Sequence, residues 1–486
     1  MKNLLDTRGN ILNACLSLLS LLVPRHIMIV LAIFSLAIPT YASGYVVDND
    51  PPIATIKAEK ELFIPSNVNR VPEGNDFNDP DSQYCHQRSA VSENFAIFWA
   101  KEYGDDPSKH EEQRMRFDVQ DILKECERFY DAYVNKFKYL IKGNSVSDKY
   151  KSIIWIIESS QGTAFGGGSE NVGMMWCPVS RISRNPYCTA AHELGHSFQY
   201  MLRQDGGRGV PGGYNEMQAQ WFLWNVYPEW MTIENYHLVN FMKETHFAFL
   251  HGTNIYRSPY VLEYWTNKHG VEFMGKLSRE VEQGEDAVAA YKRVNNVTQS
   301  QFNAEMYDAY ARFMTWDMSR IREVAKPYAN QHFTTLNKVK KDWYRIATDK
   351  CPQNYGYNGI KLNVPAAGKT VTIDFNGIAG AEGFEANNID KAGWRYGFVA
   401  YKKNGERVYS PMFSKAKGKS KFKVPADTEY LWLVVMGAPT EHWANPAPQR
   451  RQPGQGQDAP PPPPKDAQWP YEFKLVGTTL DPAMVQ

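Results

Sequence analysis

The sequence lacks a charge bias, because 54 lysine and arginine residues stand against 53 aspartate and glutamate residues, and the formal net charge is +1. It also has no run of basic residues interleaved with aromatic ones, the pattern that follows a phosphate backbone. A balanced chain has little long-range attraction for a polyanion. We therefore expect no nucleic-acid partner.

Cysteine is scarce. The chain has six cysteines, at positions 15, 85, 126, 177, 188 and 351, and loss of Cys15 with an N-terminal leader would leave five. An odd number spread over this length excludes a small disulfide scaffold and gives no ligand spacing for a cysteine-based zinc site. If any disulfide forms, we expect it between Cys177 and Cys188. Cys126 falls on an apolar helical stripe and is expected to be a buried thiol.

An apolar segment near the N-terminus is typical of a secretory signal peptide. Basic residues precede the apolar run at residues 27–38, and small residues follow it at residues 39–43. We assign residues 1–42 to a signal peptide and predict a secreted protein. A second apolar stretch at residues 11–23 leaves the alternative of an uncleaved N-terminal anchor. We expect the chain at a membrane only in that case.

The length of 486 residues exceeds what one core usually organises, so we expect two folded domains after an irregular extension at residues 43–90. The first domain, residues 91–350, begins with mixed structure and becomes helical after Tyr214. Apolar residues recur with helical spacing over residues 111–140 of this domain, which predicts one long amphipathic helix. Uninterrupted apolar runs predict buried strands at residues 95–99, 153–157 and 172–177.

The C-terminal part, residues 360–486, has a different pattern. Asn404-Gly405 between two apolar runs predicts a hairpin. Short alternating runs predict strands at residues 370–375, 394–402, 421–424, 430–436 and 471–476. We predict a small antiparallel β-sandwich with a proline-rich loop at residues 445–468 and, for the whole chain, an α+β fold.

Residues 192–196 read His-Glu-Leu-Gly-His inside an amphipathic helical pattern. Two histidines four residues apart lie one turn apart on one helical face, so both imidazoles reach one cation. Glu216 follows His196 after nineteen intervening residues, an interval that fits a helix end, a reversal and a new helix. The pattern predicts a zinc site with His192, His196 and Glu216 as ligands and Glu193 directed at the open position.

This arrangement, with Asn215 directly before Glu216, resembles the gluzincin zinc metallopeptidases of the thermolysin type. The resemblance covers only residues 150–225, and the chain as a whole resembles uncharacterised secreted bacterial proteins of this type with an appended β-sandwich. It implies a gluzincin-like domain with a mixed sheet, an active-site helix beneath it and a mainly helical second half, with a cleft between the two halves.

Two details of the resemblance concern single residues. It implies that residues 162–165 form an edge strand on which a peptide substrate pairs with the backbone of Ala164, although these residues equally suit a loop that closes a hairpin. The family also places an aspartate four residues after the metal glutamate to orient a ligand histidine. This chain has Gln220 there, an amide that accepts the imidazole proton without contributing a negative charge.

The expected function is that of a secreted zinc-dependent endopeptidase that acts on proteins or glycoproteins. Two neutral imidazoles and one carboxylate leave a fourth position on zinc, which lowers the pKa of water toward neutrality. Glu193 then accepts a proton from water and delivers it to the leaving amine. A donor to the developing oxyanion is also needed, and Tyr260 is the first candidate, with His251 the second.

Two other functions stay open at this point. One is a secreted binding protein with an inactive metallopeptidase-like domain, whose β-sandwich binds a carbohydrate or a surface protein, although the intact Glu193 argues against it. The other is a non-peptidase zinc hydrolase or a deamidase. Aromatic residues that alternate along the C-terminal strands suit sugar stacking but more often form a core, namely Trp394, Tyr396, Tyr401 and Trp432.

Overall fold

A computed structural model of the chain describes residues 59–444 and 465–486. The predicted signal peptide, the first part of the irregular extension and most of the proline-rich loop lie outside the described residues. Within the described residues, no helix is both long and apolar enough to cross a membrane.

The N-terminal sheet is mixed and has the strand order β1-β2-β3-β5-β4. Its strands are β1 Ser89–Val91, β2 Phe95–Trp99, β3 Ser152–Ile157, β4 Phe165–Ser169 and β5 Val172–Pro178. The central strands β2, β3 and β5 are parallel, and each edge strand is antiparallel to its neighbour. These central strands are buried along their whole length, as uninterrupted apolar runs predict for strands covered on both faces. The three strands predicted for this region are confirmed.

The α-helices precede, follow and connect these strands. In the described residues they are α1 Val119–Tyr130, α2 Val146–Lys149, α3 Cys188–Gln204, α4 Tyr214–Val226, α5 Trp230–Ile233, α6 Tyr236–Lys243, α7 Tyr260–His269, α8 Phe273–Glu280, α9 Ala287–Val294, α10 Gln299–Phe313 and α11 Arg322–Ala325. The predicted helical character after Tyr214 is confirmed. The single helix predicted over residues 111–140 is too long at both ends. Asp118 caps the start of α1 by accepting from the amides of Gln120 and Asp121, and the π-helical segment that follows α1 ends at Lys136.

Different segments of the chain pack on the two faces of the mixed sheet. On one face, Tyr130 at the end of α1 packs against Phe95 of β2 and against Phe198 of α3. On the other face, the irregular segment before β1 places Tyr84 against Trp155 of β3, with ring centroids 5.2 Å apart. Helix α3 also contacts the sheet directly, because the Ser197 hydroxyl donates to the carbonyl oxygen of Met174 in β5.

Two antiparallel sheets form the C-terminal part, with the orders β11-β10-β13-β8 and β12-β9-β14-β7-β6. Their strands are β6 Leu336–Lys340, β7 Trp343–Ile346, β8 Tyr357–Leu362, β9 Thr370–Gly377, β10 Trp394–Lys402, β11 Arg407–Tyr409, β12 Lys417–Lys423, β13 Thr428–Gly437 and β14 Tyr471–Val476. Phe375 of one sheet stacks on Tyr396 of the other, with ring centroids 4.2 Å apart, so the two sheets face each other. The helices, the mixed sheet and these antiparallel sheets together confirm the α+β fold class.

The C-terminal sheets begin earlier in the chain than predicted. Strands β6 and β7 form a hairpin, and β7 pairs with β14. Two strands of the second sheet therefore precede residues 350–360, where the domain boundary was expected. Only Leu336 of β6 is buried, and the rest of that lysine-rich strand is exposed. Such a strand lacks the apolar alternation that marks a strand in a sequence. All described residues belong to one compact unit.

The five cysteines of the described residues are free and buried. The disulfide considered between Cys177 and Cys188 is therefore not formed. Burial raises the pKa of both thiols. Cys126 is 1% exposed, which confirms it as a buried thiol.

Candidate metal centre

Helices α3 and α4 cross closely, and a glycine lies at their contact. A Cβ atom on Gly195 of α3 would be 3.0 Å from the Phe222 side chain and 3.3 Å from the Cα atom of Ala219, both on α4. A larger residue would therefore push the helices apart. This close crossing brings Glu216, in the first turn of α4, beside His192 and His196 of α3.

The three predicted ligand atoms form a triangle with nearly equal sides. The Nε2 atoms of His192 and His196 are 3.2 Å apart, and Oε2 of Glu216 is 3.3 Å from the first and 3.1 Å from the second. Atoms bound tetrahedrally at about 2.0–2.1 Å from zinc are separated by about 3.3 Å. The triangle therefore has the size that one zinc ion requires, and two imidazoles with one carboxylate are a common donor set for zinc.

Glu193 stands beside this triangle. One of its carboxylate oxygens lies within 4.8 Å of a ring nitrogen of each histidine. Burial raises the pKa of Glu193 above the usual value, while the charges of His192 and His196 and the backbone amide of Gly166 oppose this rise. A carboxylate with a raised pKa takes up a proton more readily, as a general base must.

Glu216 has the opposite electrostatic setting. Burial raises its pKa, but hydrogen bonds with His192 and His196 outweigh burial and bring the pKa to about 2. Glu216 is therefore ionised at neutral pH, the form that binds a cation. The two glutamates of the site are thus suited to different tasks, one to holding a metal and the other to proton transfer.

The outer nitrogen of each histidine faces an amide. Nδ1 of His192 lies 3.2 Å from Oε1 of Gln220, and Nδ1 of His196 lies 2.9 Å from Oε1 of Gln199. The sequence indicated Gln220 as the orienting residue but gave no sign of Gln199. These contacts fix the plane of each imidazole ring and hence the direction of its Nε2 atom.

Strand β4 is the edge strand next to α3, and its glycines allow the contact. A Cβ atom on Gly166 would lie 1.8 Å from the carbonyl oxygen of Glu193, and one on Gly168 would lie 2.3 Å from the Tyr200 ring. The strand predicted at residues 162–165 is displaced, because pairing with β5 begins at Phe165 and leaves Ala164 outside the strand. In the described residues, β4 pairs only with β5.

The structure corrects the assignment of Tyr260 as a catalytic residue. Tyr260 is 0% exposed and packs against Trp224, Phe241 and Trp316. Its hydroxyl has no hydrogen-bond partner, because α7 turns this residue into an aromatic core. His251, the second candidate, stacks on Phe247 instead of on a residue of the metal centre.

Tyr256 is the tyrosine that adjoins the centre. Its ring centroid is 6.2 Å from that of His192, and its side chain is 47% exposed. Burial and the nearby charges of Glu216 and Glu193 raise its pKa, so the hydroxyl keeps its proton and can donate it. Sequence reasoning missed Tyr256, which lies in the loop before α7, although loops carry many functional residues.

His237 of α6 packs against aromatic side chains, with its ring centroid 4.2 Å from that of Tyr236 and 5.4 Å from that of Trp230. Burial, followed by the charges of Arg257 and His192, lowers its pKa to about 4. His237 is therefore neutral at pH 7.

The aromatic residues considered for sugar stacking lie mostly in the C-terminal core. Trp394, Tyr396 and Trp432 are between 0% and 3% exposed. Tyr401 is half-buried, with the Arg407 guanidinium 5.2 Å from its ring. The core interpretation is therefore confirmed for Trp394, Tyr396 and Trp432, whereas Tyr401 is partly exposed and forms a cross-strand pair with Tyr430.

A model of a protein family described as "Family of unknown function (DUF6055)" matches residues 54–482. The match covers most of the chain, which therefore belongs to this family. No curated protein matches the sequence.

Two solved structures show only slight similarity. One is a glycosylation-associated protein (Gap123) complex from Streptococcus agalactiae, with 10% identity and a TM-score of 0.16, and the match spans 29% of this chain and 38% of that chain. The other is the accessory secretory protein 1, 2 and 3 structure from Streptococcus pneumoniae, with 7% identity and a TM-score of 0.16, spanning 30% of this chain and 85% of that chain.

Proposed function

We propose that this member of the DUF6055 family is a secreted zinc-dependent endopeptidase that hydrolyses proteins or glycoproteins. The observation that carries the proposal is the ligand triangle of His192, His196 and Glu216 with the buried Glu193 beside it. The gluzincin-like order of these residues in the sequence supports the same function.

Each residue has a distinct task in this proposal. His192, His196 and Glu216 would hold the zinc ion, which would serve as a Lewis acid toward water and the substrate carbonyl. Glu193 accepts the proton of the attacking water and returns it to the leaving amine. The Tyr256 hydroxyl donates a hydrogen bond to the oxyanion that develops on the substrate.

Strand β4 supports a peptide as the substrate. An edge strand presents backbone donors and acceptors to an extended peptide, which adds to the sheet. Packing of Gly166 against Glu193 puts this edge next to the general base. Gly167 differs from its neighbours because a Cβ atom there would meet nothing within 4 Å, so this side of the strand leaves space for a substrate side chain.

Zinc content and cleavage test the proposal together. We would measure zinc by mass spectrometry in residues 43–486, and cleavage of a panel of proteins and glycoproteins. One zinc per chain is expected, with loss of zinc in His196→Ala and Glu216→Ala. Glu193→Gln should keep zinc and lose about 10²–10⁴-fold in cleavage rate. Glu272→Gln, on an exposed residue outside the centre, is the matched control.

Two matched tyrosine variants test whether Tyr256 is the oxyanion donor. Tyr256→Phe should lower kcat by about 10²–10³-fold, the effect of losing one oxyanion donor. Tyr260→Phe removes a buried hydroxyl without a partner and should leave cleavage unchanged. Zinc binding without cleavage would favour a binding protein. A wild-type chain that lacks zinc both as purified and after reconstitution would contradict the proposal.

A further inference from the structure

Gln220 contacts two parts of the candidate centre. Its Oε1 atom lies 3.2 Å from Nδ1 of His192, and its Nε2 atom donates to the carbonyl oxygen of Tyr256 at 2.8 Å. The residue is 4% exposed, so water cannot readily replace either contact. One buried side chain therefore joins a metal ligand on α3 to the loop that carries Tyr256.

The chemistry of the partners fixes the orientation of this amide. The carbonyl of Tyr256 can only accept, so the NH₂ group of Gln220 must face it and the amide oxygen must face His192. Because that oxygen can only accept in turn, Nδ1 of His192 carries a proton. In the neutral ring, Nε2 then carries the lone pair that a metal ion binds.

We propose that Gln220 is a positioning residue that holds His192 in its metal-binding tautomer and at the same time anchors the Tyr256 loop beside it. This inference rests on the zinc site of the proposed function. It explains why an amide stands where an aspartate is expected from the resemblance. A carboxylate would accept from His192 but has no proton to donate to the Tyr256 carbonyl.

The second histidine supports this reading of the amides. Gln199 is 2% exposed, accepts from Nδ1 of His196 and donates through Nε2 to the Asn215 carbonyl oxygen at 2.8 Å. The carbonyl lies next to Glu216, so Gln199 also links a ligand histidine to another part of the site. The side-chain amides of Gln220 and Gln199 each accept a hydrogen bond from an imidazole and donate one to a backbone carbonyl. An ionised carboxylate can accept but cannot donate.

Two substitutions at Gln220 separate its tasks. Gln220→Glu keeps an oxygen toward His192 and removes the donor to Tyr256, whereas Gln220→Met has similar length and removes both contacts. We would measure zinc affinity by chelator competition and hydrogen exchange of the backbone amides at residues 252–257. Gln301→Glu, on the exposed first turn of α10, is the matched control for the charge change.

Gln220→Glu should bind zinc at least as tightly as the wild type but exchange the loop amides up to about tenfold faster. Gln220→Met should show the same faster exchange and bind zinc about 10–100-fold more weakly. If Gln220→Glu does not fold, Gln220→Met alone tests both contacts. Gln301→Glu should change neither quantity.

Two results would overturn the inference. They are unchanged loop exchange in a folded Gln220 variant and unchanged zinc affinity in Gln220→Met. Both leave the zinc site intact as long as His196→Ala abolishes zinc binding. If the wild type binds no zinc, the proposed function fails, and the exchange measurement still decides whether Gln220 anchors the loop.

Discussion

The interior around helices α3 and α4 differs in kind from the interior between the two C-terminal sheets. In the described residues, every buried glutamine lies on these two helices, namely Gln199, Gln218 and Gln220. The space between the sheets is filled instead by aromatic side chains, such as Phe375 and Tyr396. Both regions are well buried, and the space between the sheets also holds a polar contact, because the Tyr471 hydroxyl of β14 donates to Asn358 of β8. The difference is that the buried glutamines of the described residues lie only around α3 and α4.

Burying an amide costs free energy unless each of its polar atoms finds a partner. Gln199 of α3 and Gln218 of α4 meet this condition partly through each other. Gln199 donates to Gln218, which accepts from Tyr139 and donates to Ser278, at distances between 2.9 and 3.2 Å. A complete polar network fixes the positions of its members. We infer that the α3–α4 region is organised for precise side-chain placement and the two-sheet region for stability.

Among the changes that distinguish the two regions, the largest effect on the free energy of unfolding is expected at Phe375. Phe375→Ala should lower the free energy of unfolding by about 4 kcal/mol, because it empties a site between the sheets. The zinc affinity of the folded fraction should not change. Urea denaturation and chelator competition measure the two quantities, and Phe375→Leu, which keeps most of the volume, should cost about 1.5 kcal/mol. A parallel loss of zinc affinity would show that the regions are not separate.

The sequence predicted the elements of the site that depend on local spacing. The histidine pair follows from one helical turn, and Glu216 follows from a helix that begins after a glycine-rich loop. Strands β2, β3 and β5 follow from uninterrupted apolar runs. Each of these features is set by neighbours along the chain, so a sequence pattern suffices to locate it.

Features set by contacts between distant segments were missed or misplaced. Tyr256 adjoins the centre because its carbonyl is held by Gln220, which lies 36 positions earlier in the chain. Tyr260 was chosen instead, yet it opens α7 and packs against Trp224, Phe241 and Trp316. The strand β4 begins later than predicted because pairing with β5 sets its start. No local pattern records these contacts.

Two neighbouring glycines in β4 give a sharper form of the comparison. Gly166→Ala should destabilise the chain by about 3 kcal/mol, because its Cβ atom would overlap the Glu193 carbonyl and push the strand from α3. The change should also weaken zinc binding, since it moves the helix that carries both histidines. Thermal unfolding and chelator competition test this. Gly167→Ala, where the new atom meets nothing, is the control and should change stability by less than about 0.5 kcal/mol.

The smallest effect is expected where the helical half meets the C-terminal part. Asp286 caps α9 by accepting from the amides of Val288 and Ala289, and it pairs with Nε2 of His442, beyond β13, at 2.8 Å. Burial raises the pKa of Asp286, but the hydrogen bond with His442 and those with the two amides outweigh burial and lower the pKa below the usual value.

A lowered pKa means that folding favours the ionised form. The stabilisation is therefore present above the unfolded pKa of about 3.9 and is lost as the pH falls through the lower folded pKa. Asp286→Asn keeps a good helix cap but removes the charge, so it should cost about 1–2 kcal/mol at pH 7 and progressively less below about pH 4. Urea denaturation at several pH values measures this difference. A difference that is the same at pH 7 and pH 3 would show that Asp286 contributes as a cap alone, and that its charge does not join the two regions.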